Sequence, residues 1–242
     1  NEFLAKYPNH KLAAQAQYMA ALTALADEKL DDAAQRAEAF LAKGEWAEHM
    51  LRPAVLFIAA ESQVRAGRIE DAARRNKAEG FYRQLIDNHP QHQDAPRAAL
   101  GVGRCLMAGE KLEEAIKFIQ GHQDDLKSPE SKAQAHLMVG RAHAELNRHT
   151  EALAAFSQAQ QAAPKWKFGD RVLFEASQSL QATKKANEAR QKLAELITKF
   201  GESDLRPQAM FQLGQIALAE GNEDEAIKQL TEVTQKFGES EL

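Results

Sequence analysis

Alanine returns in step along this chain, each time just after a short acidic or polar stretch. "KLDDAAQR" at 29–36, "KLEEAIKF" at 111–118 and "NEDEAIKQ" at 222–229 are three of the copies. The aligned positions are Ala33, Ala72, Ala115, Ala152, Ala189 and Ala226, spaced by 39, 43, 37, 37 and 37 residues. Self-similarity at ~20–50 residues marks a chain of stacked supersecondary units, not one globule. Twelve positions ahead of each lies a small residue: Ala21, Ala60, Gly103, Gly140, Ser177 and Gly214. Small side chains at a fixed separation let two helices approach closely, since a large one at either place would push the backbones apart.

Each unit therefore reads as helix, tight turn, helix. In the last one, "RPQAMFQLGQIALAEG" places Met210, Leu213, Ala217 and Leu218 at helical spacing and stops at Gly221, which can adopt the left-handed conformation. "NEDEAIKQLTEVTQKFG" follows, with Asn222 able to cap the free amides and its acids favouring the positive end of the helix dipole. Ile227, Leu230 and Val233 form the expected inner stripe, and Phe237 with Gly238 the stop. The acidic pairs are thus helix starts. Ala is abundant, Thr, Val and Tyr are scarce, and hydrophobic residues reach 44%, a composition that supports helices and a sizeable core. The expected fold class is all-α, a right-handed superhelical solenoid of about six helix-turn-helix repeats. It forms one domain over 1–242, with units near 11–50, 51–93, 94–130, 131–167, 168–204 and 205–242, and with 1–10 as the tail of a preceding repeat.

The second unit breaks phase. Counting forward gives Ala72, but counting back from "FYRQLIDNHP" gives Ala78, so six residues around "DAARRN" are inserted. Six residues turn a helix by about 600°, not by whole turns. The expectation is a long helix from about Ile69 to Asn88, kinked near Lys77 to Gly80.

Several functions are disfavoured by what the chain lacks. Its 31 basic and 35 acidic residues are interspersed, for a net charge of -4, so no long basic field exists to hold nucleic acid. Cys105, the one cysteine, excludes an intrachain disulfide and falls on a first helix, where a packing thiol is expected. No apolar run approaches the ~20 residues of a membrane span. The start, "NEFLAKYPNH", lacks a signal-peptide pattern, lacks Met and falls in mid-repeat, as an excised segment would. His89, His92, His136, His143 and His149 do not follow metal-ligand spacing, so neither a metal nor a cofactor is expected. "GVGRCLMAG" has no preceding strand and is no phosphate loop, and no nucleophile elbow is present. Catalysis is not expected.

Leu213, Gly214, Gly221, Ala226 and Leu230 in the last unit, and Val139, Gly140, Ala152, Phe156 and Pro164 in the fourth, resemble the tetratricopeptide repeat pattern. The family period is about 34. Here it is longer, and the extra residues fall in the exits "KYPNHKLA", "NHPQHQDAP" and "KFGESDLRP". Such exits look like the repeats of bacterial cell-envelope proteins of the Tol-Pal coordinator type. That likeness implies a bacterial source, and the envelope or periplasm ahead of the cytoplasm.

The resemblance also implies that first helices line a concave groove for a peptide or protein partner. Groove positions by the family's offsets include Tyr18, Phe57, Arg65, Arg97, Leu100, Arg104, Leu137, Arg141, Arg171, Phe174, Gln178 and Phe211, together with Gln15, Glu61, Gln134, Glu145, Gln208 and Gln215. Arg97, Arg104, Arg141 and Arg171 are expected to project toward one another, bordered by Phe57, Leu100, Leu137 and Phe174. Arginine forks recognise carboxylates, so a partner with acidic residues is implied. Pairing of these arginines with Glu or Asp of a neighbouring repeat stays open. The family's terminal-carboxylate clamp of Lys and Asn is replaced by Tyr18, Leu22, Phe57 and Glu61. The functional expectation is a non-catalytic interaction scaffold. The alternative is the docking or sensory arm of a larger enzyme or signalling protein whose chemistry lies outside this segment. Exposed ends of the stack would also permit end-to-end self-association.

Overall fold

The computed structural model describes residues 2–65 and 68–237. Among them are thirteen α-helices, three short 3-10 turns and no strand. α1 (Glu2–Lys6) precedes six helix pairs: α2 (Ala13–Ala26) with α3 (Leu30–Leu41), α4 (Arg52–Val64) with α5 (Ala72–Asn88), α6 (Ala95–Ala108) with α7 (Leu112–Gly121), α8 (Pro129–Glu145) with α9 (His149–Ala162), α10 (Gly169–Ala182) with α11 (Ala186–Lys199), and α12 (Arg206–Ala219) with α13 (Glu223–Phe237). The chain divides into two compact units, Asn1–Leu126 and Lys127–Leu242. In the first, α3 packs on α4 and α5 on α6; in the second, α9 packs on α10 and α11 on α12. This is the helical-repeat solenoid fold that the spacing predicts.

The phase is set where small and large side chains meet. Ala33, Ala78, Ala115, Ala152 and Ala189 are wholly buried, and Ala226 nearly so. Four residues after Ala152 the ring of Phe156 occupies the space a Cβ on Gly140 would need, and four after Ala226 Leu230 does the same at Gly214. A larger residue at either glycine would force the two helices of that pair apart.

Backbone geometry repeats as faithfully. Glu28, Glu110, Asn147, Lys184 and Gly221, each five positions before a buried Ala, have φ between 59° and 76°. The next residue in each case donates its amide to a carbonyl five residues back: Lys29 to Ala24, Lys111 to Leu106, Arg148 to His143, Lys185 to Leu180 and Asn222 to Ala217, all at 2.8–2.9 Å. That hydrogen bond closes the first helix with a left-handed residue and aims the chain into the second. Acidic residues occupy the first turns that follow, Asp31 and Asp32 in α3 and Glu113 and Glu114 in α7 among them. Asn222 accepts the Glu225 amide at 3.3 Å, the expected cap.

Three expectations are corrected. The repeat position in the second pair is Ala78, since Ala72 is exposed. α5 does not start at Ile69 and is not interrupted near Lys77 to Gly80. A 3-10 turn covers Arg68–Glu70, Asp71 caps α5 through the amides of Ala73 and Arg74, and the helix runs unbroken to Asn88 with one buried stripe, Ala78, Tyr82 and Leu85. Residues 72–77 are exposed or half-buried, so there is no second stripe for a kink to redirect. In the last pair, Leu218 and Ile227 are 60% and 63% exposed. Each is one residue, about 100° of helix, past the buried Ala217 or Ala226. The expected stop at Gly238 lies outside the described residues.

Candidate protein-interaction site

In the first unit the anticipated arginines are tied to neighbouring side chains. Phe57 and Leu100 are buried, Tyr18 is half-buried, and Arg97 stands over the Phe57 ring at 4.5 Å with Nη1 3.0 Å from Asp94 Oδ1. Arg65 reaches back to Glu28 at 2.9 Å, and Arg104 reaches back to Glu61 at 2.8 Å. The Tyr82 hydroxyl donates to the same Glu61 oxygen and accepts from Arg104 at 3.3 Å. Burial, and then the Glu61 charge, push the Tyr82 hydroxyl well above its ordinary pKa, so it stays a neutral donor. Cys105 beside it is buried, and burial pushes its thiol up to about 12, so it remains protonated at neutral pH. These arginines link consecutive repeats.

The second unit contains a cleft of about 690 Å³ lined by α8, α10 and the segments preceding α10 and α12. Arg141, Arg171, Phe174 and Gln178 all face it, so it gathers four of the anticipated residues. Arg141 is paired, with Nε 3.1 Å from Glu175. Burial raises the Glu175 carboxyl above its usual range, Arg141 opposing the shift and Glu145 adding to it. Leu137 is buried, and Phe211 is 40% exposed on α12, outside the cleft lining.

Arg171 differs from the other arginines. It is exposed, and among the described residues no carboxylate lies within ion-pair distance of it. Its guanidinium stands 5.1 Å from the Phe168 ring, which also carries the Lys167 ammonium at 4.7 Å. An exposed phenyl ring flanked by two cations is a place where an anionic side chain with an apolar neighbour can settle. Lys167, Phe168, Glu202 and Asp204 line the cleft and escape the first-helix offsets because they sit in exit loops. Comparing those loops in register would have found them. Among the described residues no group of three or more His, Cys, Asp or Glu is placed to hold a metal ion, and no helix is long and apolar enough to cross a membrane.

The fold is shared with several solved structures. PilW, described as a widely conserved type IV pilus biogenesis factor, superposes with a TM-score of 0.73 at 15% identity over 96% of this chain and 97% of PilW. PilF of Pseudomonas aeruginosa gives 0.68 at 14% identity over 94% and 93%. MamA of Desulfovibrio magneticus RS-1 gives 0.61 at 11% identity over 78% and 97%. No curated protein matches the chain. The tetratricopeptide repeat model matches residues 59–130, 126–165 and 174–239. With most of its length matched in this way, the chain belongs to the tetratricopeptide repeat family.

Proposed function

We propose that this protein is a non-catalytic interaction scaffold that seats a segment of a partner protein in the cleft of its second unit. Tetratricopeptide repeat proteins generally mediate contacts between proteins, which supports the class. The observation that carries the location is the convergence of Arg141, Arg171, Phe174 and Gln178 on one open cleft, with Arg171 in no ion pair among the described residues although its charge acts on Glu175. The partner segment carries an acidic residue opposite Arg171, and Phe174 supplies apolar contact. Capture experiments with the whole chain test this. Proteins retained by the native chain are lost with Arg171→Glu plus Phe174→Ala and kept with Arg104→Glu. An unchanged set with the cleft variant overturns the reading.

A second use of the surface rests on Met19, Leu22, Leu218 and Ile227, large apolar side chains exposed in the first and last pairs. Contact between copies through these residues predicts a sedimentation mass that rises with concentration and returns to that of one chain when Leu218 and Ile227 are changed to Gln.

A further inference from the structure

The two loops beside the second-unit cleft are the same element one repeat apart. "PKWKF" at 164–168 follows α9 and "GESDL" at 201–205 follows α11, so that Lys165 corresponds to Glu202 and Lys167 to Asp204. The charge changes sign at both positions. Lys167, Glu202 and Asp204 line the cleft and are exposed, and among the described residues none of them has an ion-pair partner. The two loops therefore form no ion pair with each other at these positions.

Each loop is anchored at its base. Lys167 and Arg171 both stand against the ring of Phe168, which meets the buried Trp166 edge-on at 5.4 Å. On the other side Ser203 donates to Asp170 in the first turn of α10 and accepts the Leu205 amide at 3.1 Å. Phe174 and Phe200 line the same cleft. Phe200 is held in place against Gly169, where a Cβ would come within 2.7 Å of its ring. The cleft thus has exposed cations from one loop and the start of α10, and exposed carboxylates from the next loop, with Phe174 and Phe200 in its lining beside Arg141, Asp170, Glu175 and Lys199.

Building on the reading of this cleft as the partner site, we infer that it selects an extended segment carrying one acidic and one basic side chain on either side of apolar residues. The acidic side chain lies at Lys167 and Arg171, and the basic one at Glu202 and Asp204. A segment of a single charge sign meets its own sign at one of the two loops, and such juxtaposition is what suppresses wrong partners and wrong registers. The cleft consequently reads the order of charges along the partner as well as their presence.

The test uses immobilised ten-residue peptides in which one Glu and one Lys flank an apolar pair in both orders, with Glu/Glu, Lys/Lys and Gln/Gln controls. The whole chain is the probe. Mixed-charge peptides are retained about tenfold better than like-charge controls, and one order is preferred over its reverse. Exchanging the charges by Lys167→Glu, Arg171→Glu, Glu202→Lys and Asp204→Lys inverts the preferred order, circular dichroism confirming the helical fold. Retention that ignores charge order, or an order preference that survives the exchange, overturns the inference. If retention is then still abolished by Phe174→Ala, the cleft remains the partner site. Retention indifferent to Phe174→Ala as well overturns both readings, as does a chain that retains no peptide.

Discussion

Arg97 in the first unit and Arg171 in the second occupy the same place in their repeats, six residues before the small side chain of the first helix. Both guanidinium groups stand over a phenyl ring, at 4.5 and 5.1 Å. Three residues before Arg97 is Asp94, which takes its charge at 3.0 Å; three before Arg171 is Phe168, which cannot. One difference in register therefore separates an arginine that is ion-paired within its own repeat from one outside any ion pair of the described residues. The contrast is local to that position: Arg65 and Arg104 reach back to carboxylates of the preceding repeat and Arg141 in the second unit pairs with Glu175 of the following one, whereas Lys167 and Arg171 stay outside any ion pair of the described residues. A position fixed by the repeat determines where a side chain starts, and its neighbours determine what it does.

The contrast can be broken most forcefully at Glu61. Glu61→Ala leaves the buried Tyr82 hydroxyl and Arg104 without their shared acceptor and lowers stability by about 2–3 kcal/mol in urea unfolding. Phe168→Ala, which strips a partly exposed ring from free cations, costs under about 1 kcal/mol. Equal losses would show that the two faces are built alike. Next in size is binding: Arg171→Glu weakens retention of a partner or peptide by about tenfold, near 1.4 kcal/mol, while Arg97→Glu changes it less than about threefold. Phe168→Asp supplies Arg171 with the acid that Arg97 already has and reproduces part of that loss, which sharpens the comparison to a single register position.

Smaller effects come from the turns and from one buried acid. Glu110→Gly in the first unit and Lys184→Gly in the second each relieve a left-handed non-glycine residue and raise stability by about 0.5–1 kcal/mol, measured by thermal unfolding. Asn147→Gly gives less, because Asn tolerates that conformation. Glu175 supplies the smallest signal. Its folded pKa lies above the unfolded value of about 4.3, so the protonated form is the one the fold favours. The penalty for its charge is absent at lower pH and sets in as pH rises through the folded pKa. Glu175→Gln removes that segment of the pH-stability profile, and a profile unchanged by the substitution rules out the burial cause.

Much of the fold was legible because small residues and helix-ending signals recur in phase. Gly140 beside Phe156 and Gly214 beside Leu230 are packing constraints that a spacing rule detects. The insertion before Ala78 was visible, but its form was not. A capping Asp71 and a preceding 3-10 turn absorb six residues without bending α5, a local solution that periodicity does not encode. The exposure of Leu218 and Ile227 is not legible from their apolar identity, because each lies one step around the helix from the buried row. The site was legible only in part. First-helix offsets located Arg141, Arg171, Phe174 and Gln178, while Lys167, Glu202 and Asp204 lie on loops, where the informative signal is a change of sign between equivalent positions.

Tyr82 has a consequence for how this array can be rearranged. Its ring presses on Gly101 of the following pair, where a Cβ would sit 2.5 Å away, whereas Phe156 and Leu230 press on glycines of their own pairs. The α8–α9 and α12–α13 pairs thus carry their key wedge within themselves and suit transplantation as cassettes. The α4–α5 pair hands its wedge to its neighbour, so the two must be inherited, moved or deleted together.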